Sequence, residues 1–241
     1  MHVLAIDTSN QPLTVAVLDD ERVLATTTMT THRKHAEYLM PIVEKLVKYA
    51  KLTPQDLDRV VISNGPGSYT GIRIATTVGK VLADTLNIDL VGISSLMALV
   101  LNVQKEHQLV VPLFDGRNNN LFTGLYRTSQ NGPEVVIEDQ HINFDKWLQK
   151  LDEFNEPIIF AGSDVDHFVD RLKSHFGTNF KSLTGIDNLP QAAKIGVYGE
   201  KQDPVSNINN FNPNYLRLTK AQADWQKLNP GRENESYVEK N

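Results

Sequence analysis

At the start of the chain the apolar positions follow strand logic. Val3-Leu4-Ala5-Ile6 is a continuous apolar run ended by Asp7-Thr8-Ser9-Asn10, the pattern of a buried strand that runs into a polar loop. Residues 13–18 and 22–29 are β-rich and separated by Asp19-Asp20-Glu21, a connection of hairpin length. The period then changes. Leu39, Ile42, Val43, Leu46, Val47 and Ala50 recur at three- and four-residue spacing, which predicts an amphipathic helix over 35–50. Pro41 lies inside it and lacks the N–H that would bond the Glu37 carbonyl, so a kink, or a helix that begins nearer Pro41, is expected. Val60-Val61-Ile62-Ser63 predicts another strand, residues 64–68 a tight loop, 70–86 a second helix and Leu90-Val91-Gly92-Ile93 a further strand. This order fits a mixed sheet with an antiparallel meander and parallel crossovers.

The order then restarts. Residues 109–114 form an apolar run ended by Asp115, 121–126 and 135–137 read as strands, 144–151 as a helix, 157–161 as a strand stopped by Gly162-Ser163, and 164–176 as a helix. Asp7 and Asp115 end corresponding strands, and the Gly65 and Gly162 loops correspond, so the element order implies a structural duplication whose second copy is shorter and less regular. The expected division is a first half over 1–106, a second over 107–220, and a polar tail over 221–241. That tail has few apolar residues besides Trp225, and is expected to be mobile or peripheral, or else to dock a partner.

Composition narrows the class. The chain has 241 residues, 40% of them hydrophobic and 22% charged, which fits an ordinary globular protein and excludes collagen-like or low-complexity sequence. It has no cysteine, so disulfides, thiolate metal sites and a cysteine nucleophile are excluded and a reducing compartment is consistent. No stretch approaches the ~20 apolar residues of a membrane span, and a cytoplasmic location is expected. Lys and Arg total 24 against 29 Asp and Glu, a net charge of −5. No overall basic field draws in a phosphate backbone, so nucleic acid, if involved, is expected to be engaged through a partner.

Candidate chemistry concentrates in Ser63-Asn64-Gly65-Pro66-Gly67-Ser68-Tyr69-Thr70-Gly71-Ile72-Arg73. A strand, a glycine-rich turn and a helix N-terminus gather unpaired N–H groups and the positive end of a helix dipole, which suits an anion. Gly65, Gly67, Ser68 and Arg73 are the candidate phosphate residues there. The segment equally reads as a tight turn with Ser68 or Thr70 capping the helix. Asp7 and Thr8, with Asp115-Gly116 as their counterpart, suit magnesium or water and a phosphate, although a strand-end carboxylate also serves simply to form a turn. Gly71, Ala75, Gly79 and Ala83 set small residues every four positions along the second helix, a ridge that admits close packing either of the chain's own core or of another protein's helix. With Leu39, Ile42, Val43 and Leu46 of the first helix they form the candidate partner interface. His32 and His35, near Glu37, form a histidine pair with no evident third ligand and are flanked by Arg33 and Lys34, which favours solvated or capping histidines over a metal. No Gly-x-Ser-x-Gly elbow and no His-Glu-x-x-His motif occurs.

The chain resembles the TsaB family, also called YeaZ. The likeness rests on Leu4-Ala5-Ile6-Asp7-Thr8-Ser9, on His35-Ala36-Glu37-Tyr38-Leu39-Met40-Pro41-Ile42 and above all on Gly65-Pro66-Gly67-Ser68-Tyr69-Thr70-Gly71-Ile72-Arg73-Ile74. It continues through Val91-Gly92-Ile93-Ser94-Ser95-Leu96 and ends near Asn214-Tyr215-Leu216-Arg217. The resemblance implies an ASKHA architecture, the duplicated actin- and Hsp70-like, ribonuclease-H-like fold of two mixed five-stranded sheets with helices. It implies a non-catalytic subunit needed for threonylcarbamoylation of tRNA adenosine 37, acting in complex with the transferase TsaD and the ATPase TsaE. It further implies a homodimer when the chain is alone, contact with tRNA only through the complex, and no membrane association. No intrinsic cofactor or metal is implied, and ATP or ADP with magnesium belongs to the assembled complex. TsaD binds its metal with a His-x-x-x-His motif, and Ser95 and Leu99 align with those ligands here. Where many family members have Asp-Ala-Arg-Arg followed by Glu, this chain has Asp115-Gly116-Arg117-Asn118-Asn119-Asn120. An ATP-dependent phosphotransferase of the same fold is the alternative, and a metallopeptidase reading lacks its ligands.

Overall fold

Alternation along the strands decides how the layers stack. In the computed structural model, which describes residues 1–30 and 34–217, Leu4 and Ile6 enter one core cluster while Val3 and Ala5 enter another, as the two-residue period of a strand requires. This strand, β1 (His2–Asp7), is followed by β2 (Pro12–Asp19), β3 (Arg22–Thr30), α1 (His35–Tyr49), β4 (Arg59–Ser63), α2 (Tyr69–Leu86), β5 (Asp89–Ile93) and α3 (Ser95–Val100). The sheet order is β3-β2-β1-β4-β5, with β1 antiparallel to β2 and parallel to β4.

The second half repeats it. β6 (Leu109–Arg117), β7 (Asn120–Arg127), β8 (Glu134–Asn143), α4 (Phe144–Leu151), β9 (Ile158–Ala161), α5 (Val169–Phe176) and β10 (Phe180–Ser182) give the order β8-β7-β6-β9-β10, strand for strand the order of the first sheet. Two mixed five-stranded sheets with helices make this the expected ASKHA architecture. Asp115 does not end its strand as Asp7 does: β6 continues to Arg117 through a bulge. The helix expected over 164–176 is broken at Phe168 into a 3₁₀ turn and α5. Helix α1 starts at His35 and passes through Pro41 without beginning there. Glu37 and Pro41 are both exposed, so solvent can take the carbonyl that proline leaves unpaired.

The last helix, α6 (Ala192–Glu200), crosses back to the first half. It falls within the expected second half over 107–220, yet Ala192 and Ile195 pack with Val3, Ala5 and Val61 of the first sheet. Arg59 fixes its end. The buried guanidinium donates to the carbonyls of Gly199, Glu200 and Gln202 at 3.2, 2.7 and 2.9 Å and to Asp89 at 2.7 Å, a cation set against a helix C-terminus. Val205, Ile208 and Phe211 beyond it also pack on the first half. A second tie joins the halves: Ser94, which caps α3, donates its hydroxyl to Asp139 of β8, and that carboxylate also accepts the Tyr126 hydroxyl. Burial pushes the Asp139 carboxyl above its usual range. His32 and the tail over 221–241 lie outside the described residues.

The candidate interface residues must be reassigned. Leu39, Val43 and Leu46 are buried in the chain's own core, with Ile42 half-buried against it. Gly71, Ala75, Gly79 and Ala83 are also buried, and a Cβ at Gly79 would stand 2.8 Å from Ile62 Cγ2 and 3.2 Å from Leu90 Cδ1. The small ridge therefore seats α2 within its own chain, Gly79 on β4 and β5 and Gly71 on the Thr8 carbonyl, not on a partner helix. Gly79→Leu should lower monomer stability by about 1–3 kcal/mol, the range for overpacking, in urea unfolding followed by circular dichroism. Unchanged stability would place the ridge away from the sheet.

Candidate functional site

Parallel pairing of β1 with β4, with Ile6 opposite Ile62, brings the loops after both strands together, the position where open α/β sheets commonly bind ligands. Here the two loops bind one another. Ser68 caps α2 by accepting the Gly71 N–H at 3.3 Å, its own N–H donates to the Ser9 carbonyl at 2.7 Å, and Thr8 Oγ1 donates to the Gly71 carbonyl at 2.7 Å. The loops touch backbone to backbone: a Cβ at Gly71 would lie 2.0 Å from the Thr8 carbonyl oxygen, and one at Gly67 would lie 2.2 Å from that of Ser9. The N–H groups of Ser68 and Gly71, which could have held an anion, are thus engaged within the chain.

Asp7 sits beneath this contact and is completely buried. Its Oδ1 accepts the Ser9 N–H at 2.8 Å and the Ser9 hydroxyl at 2.9 Å, while Oδ2 has no partner among the described residues. The Ser63 hydroxyl is close enough to favour the carboxylate, although it closes no hydrogen bond of its own. Desolvation outweighs these groups and the more distant His35, and raises the Asp7 carboxyl above the usual range. Asp115 differs. It is exposed, accepts the Arg117 N–H at 2.8 Å through Oδ1, and lies 3.8 Å from His167 Nδ1 through Oδ2. Among the described residues no group of three His, Cys, Asp or Glu side chains is placed to hold a metal. His35 Nε2 pairs with the Gln11 carbonyl at 3.0 Å.

The accessible feature is a cleft of about 530 Å³ between the halves, with Gly67 and Ser68 on one wall and Asp115 and Asp164 on the other. At its mouth the rings of Tyr69 and Tyr215 lie 5.3 Å apart. The Arg73 guanidinium stacks 4.3 Å from the Tyr69 ring centre, and its Nε donates to the Tyr215 hydroxyl at 2.7 Å. Arg217 crosses the cleft to donate to the Gly116 carbonyl at 3.1 Å.

Of the six candidate phosphate residues, then, Gly67 and Ser68 line the cleft, whereas Asp7, Thr8 and Gly65 are buried. The Gly65 N–H donates to Ser95 Oγ at 3.0 Å, and Arg73 belongs to the tyrosine stack. Leu99, four residues after Ser95, is a core residue packed with Val110 and Phe114. Nothing local in the sequence of residues 214–217 shows that Tyr215 returns to Arg73, 142 residues earlier, so the roles of Tyr69, Tyr215 and Arg217 at the cleft come from the fold alone.

The charge state of Asp7 has a measurable consequence. A carboxyl whose folded pKa is raised binds its proton more tightly in the native state, so its contribution to stability falls as pH rises through the window between the unfolded and folded values. Asp7→Asn keeps an oxygen for Ser9, removes the desolvated charge and can donate to the unpaired Ser63 hydroxyl. It should therefore raise stability at pH 7 by about 1 kcal/mol, and the gain should close as pH falls to about 4, where the unfolded carboxyl takes up its proton. Urea unfolding from pH 4 to 8 checks this, and a destabilised variant at pH 7 would contradict it.

Comparison with known proteins fits this architecture. The family model described as "TsaD: tRNA N6-adenosine threonylcarbamoyltransferase" matches residues 23–225. The "tRNA threonylcarbamoyladenosine biosynthesis protein TsaB" of Bacillus subtilis is 34% identical over 93% of this chain and 98% of its own length, and the protein of the same name from Escherichia coli is 27% identical over 97% and 100%. A Pseudomonas aeruginosa structure described as "an uncharacterized protein with similarity to peptidase YEAZ" superposes with a TM-score of 0.77 at 25% identity, covering 90% of this chain and 99% of that one. "YeaZ from Pseudomonas aeruginosa" gives 0.72 at 23% identity, covering 89% and 99%, and speaks to the fold alone. With a 34% identical relative matched along nearly its full length, the chain belongs to the TsaB family.

Proposed function

We propose that this chain serves threonylcarbamoylation of tRNA adenosine 37 as a non-catalytic partner of a TsaD-type transferase. The names of its relatives support the pathway. The closure of the first-half loops over Asp7 supports the role, because a carboxylate with no solvent access and a raised pKa is poorly placed to hold magnesium or to activate water. Leu99 adds to it: the position aligned with the second metal ligand of the transferase carries a side chain that cannot coordinate, buried in the core. The ATP-dependent phosphotransferase reading would need Asp7 open to the cleft.

In this reading the complex also includes a TsaE-type ATPase, ATP or ADP and magnesium belong to the assembly, tRNA is met through the complex, and the free chain pairs with a second copy. The docking surface is the outward face of α1 and α2. With the small ridge turned inward, the solvent sides of these helices carry Tyr38 and Tyr49 on one flank of α1, Met40 on its other flank, and Val81 on α2 as exposed side chains, with Ile74 and Val78 half-exposed near Val81. Exposed apolar groups spread over two neighbouring helices suit a protein partner.

The purified chain should turn over neither ATP nor peptide and should transfer no threonylcarbamoyl group by itself, yet co-elute with a TsaD-type transferase in size-exclusion chromatography. Thr77 and Val81 are both exposed and one turn apart. The double variant Thr77→Glu, Val81→Glu should keep its unfolding midpoint while weakening that complex by about tenfold or more. Turnover that survives exhaustive purification, or native affinity in the variant, would contradict the proposal.

A further inference from the structure

A second cavity, of about 620 Å³, opens on the other side of the molecule from the Gly65 loop and takes walls from both halves. The first half contributes α6 and Val23 of β3, the second contributes the tip of the β7–β8 hairpin, and the segment after α3 closes it between them. Volumes of this size accommodate small organic ligands. Leu101, Val103 and Val197 supply apolar wall, and the tip is seated closely, since a Cβ at Gly132 would stand 2.9 Å from the Tyr198 ring.

Two donors in this cavity lack partners suited to them. Lys194 and Tyr198 are one turn apart on α6 and both line the space. Lys194 Nζ makes a single long contact, 3.5 Å to the Asn102 carbonyl, and among the described residues it has no carboxylate within ion-pair distance. The other groups are engaged elsewhere: Lys201 pairs with Glu21 at 2.8 Å, and Glu106 turns to His107 at 3.9 Å. The Tyr198 hydroxyl forms no hydrogen bond among the described residues, while the ring is held by the hairpin. A half-buried ammonium without a counterion is costly, and burial duly lowers the Lys194 pKa against the opposing influence of Asp187.

From this arrangement we infer that the cavity is a binding site for a small carboxylate with an apolar body. The carboxylate pairs with Lys194 and accepts the Tyr198 hydroxyl, a charge-assisted contact in a partly water-excluded setting. The apolar body lies against Leu101, Val103 and Val197. Among the described residues no carboxylate pairs with Lys194, and a purely apolar ligand would leave the ammonium desolvated and unpaired. Because the walls come from both halves, an occupant would brace one half against the other.

The test uses the full chain and 4-phenylbutyrate as probe, with 4-phenylbutanol as a neutral control of the same body. Titration followed by amide chemical shifts should show saturable 1:1 binding to wild type with Kd on the order of 1 mM or below. Perturbations should centre on residues 194–198 and on the hairpin tip. Lys194→Met should weaken binding by about tenfold, Tyr198→Phe by a smaller factor, and the alcohol should bind about tenfold more weakly than the acid. Circular dichroism establishes that each variant is folded, and Lys194→Gln replaces the methionine variant if that one is not. Absence of saturation in wild type, equal affinity in the folded Lys194 variant, or equal binding of the alcohol would each overturn the inference.

Discussion

The contact on which the rest of this structure depends is the seating of the α2 N-terminus on the carbonyls of Thr8 and Ser9. It needs glycine at 67 and 71, because a side chain at either would fall at 2.2 or 2.0 Å from a backbone oxygen, well inside van der Waals contact. Once seated, the helix caps itself through Ser68 and returns the Thr8 hydroxyl to Gly71. Asp7 is then sealed beneath, Tyr69 and Arg73 are turned toward the cleft mouth, and the outer face of α2 is set beside that of α1. One close approach thereby fixes a buried acid, a cleft wall and the orientation of the α2 outer face together.

The two halves are held in one arrangement by ties of different chemistry. Asp139 accepts hydroxyl groups from both halves, Arg217 reaches Gly116 across the cleft, and α6 returns from the second half to lie on the first sheet, its C-terminus bound by Arg59. Buried polar contacts of this kind specify geometry more than they add stability. For a protein proposed to act by presenting a surface to a transferase, fixed geometry is the property that matters. The same ties explain why both large cavities lie along the seam between halves, where side chains from separate sheets meet without filling the space.

Much of this was legible in the chain. The strand and helix periods locate most elements to within a residue or two, and the repeat of their order reveals the duplication, because each sheet must bury its faces by the same alternation. What the chain does not show is which surface a periodic face meets. Gly71, Ala75, Gly79 and Ala83 spell out a close-packing ridge, yet only the folded chain shows that the Thr8 carbonyl receives Gly71 and that Ile62 and Leu90 receive Gly79. Asp7 and Asp115 look equivalent in sequence, but their fates diverge because Gly71 and Ser68 close over the first while a bulge and an exposed loop carry the second. Helix α6, with Gly196 and Gly199 in it, was not anticipated, since glycine argues against helix locally and the reason for it, close contact with Leu18 and Val61, is tertiary. The tyrosine stack at the cleft mouth is a contact of high sequence separation, invisible to any local pattern.

The central claim is that Asp7 is a sealed structural group in a partner subunit, so the most direct measurement is the rate of tRNA threonylcarbamoylation by a TsaD-type transferase assembled with either the native chain or its Asp7→Asn variant. The account predicts complexes of equal affinity and rates within about twofold of each other, because the variant changes no group that reaches substrate, metal or partner. A fall of about a hundredfold or more in an intact complex, the scale expected when an acid–base or metal-holding carboxylate is removed, would show that Asp7 takes part in the chemistry and would contradict the account.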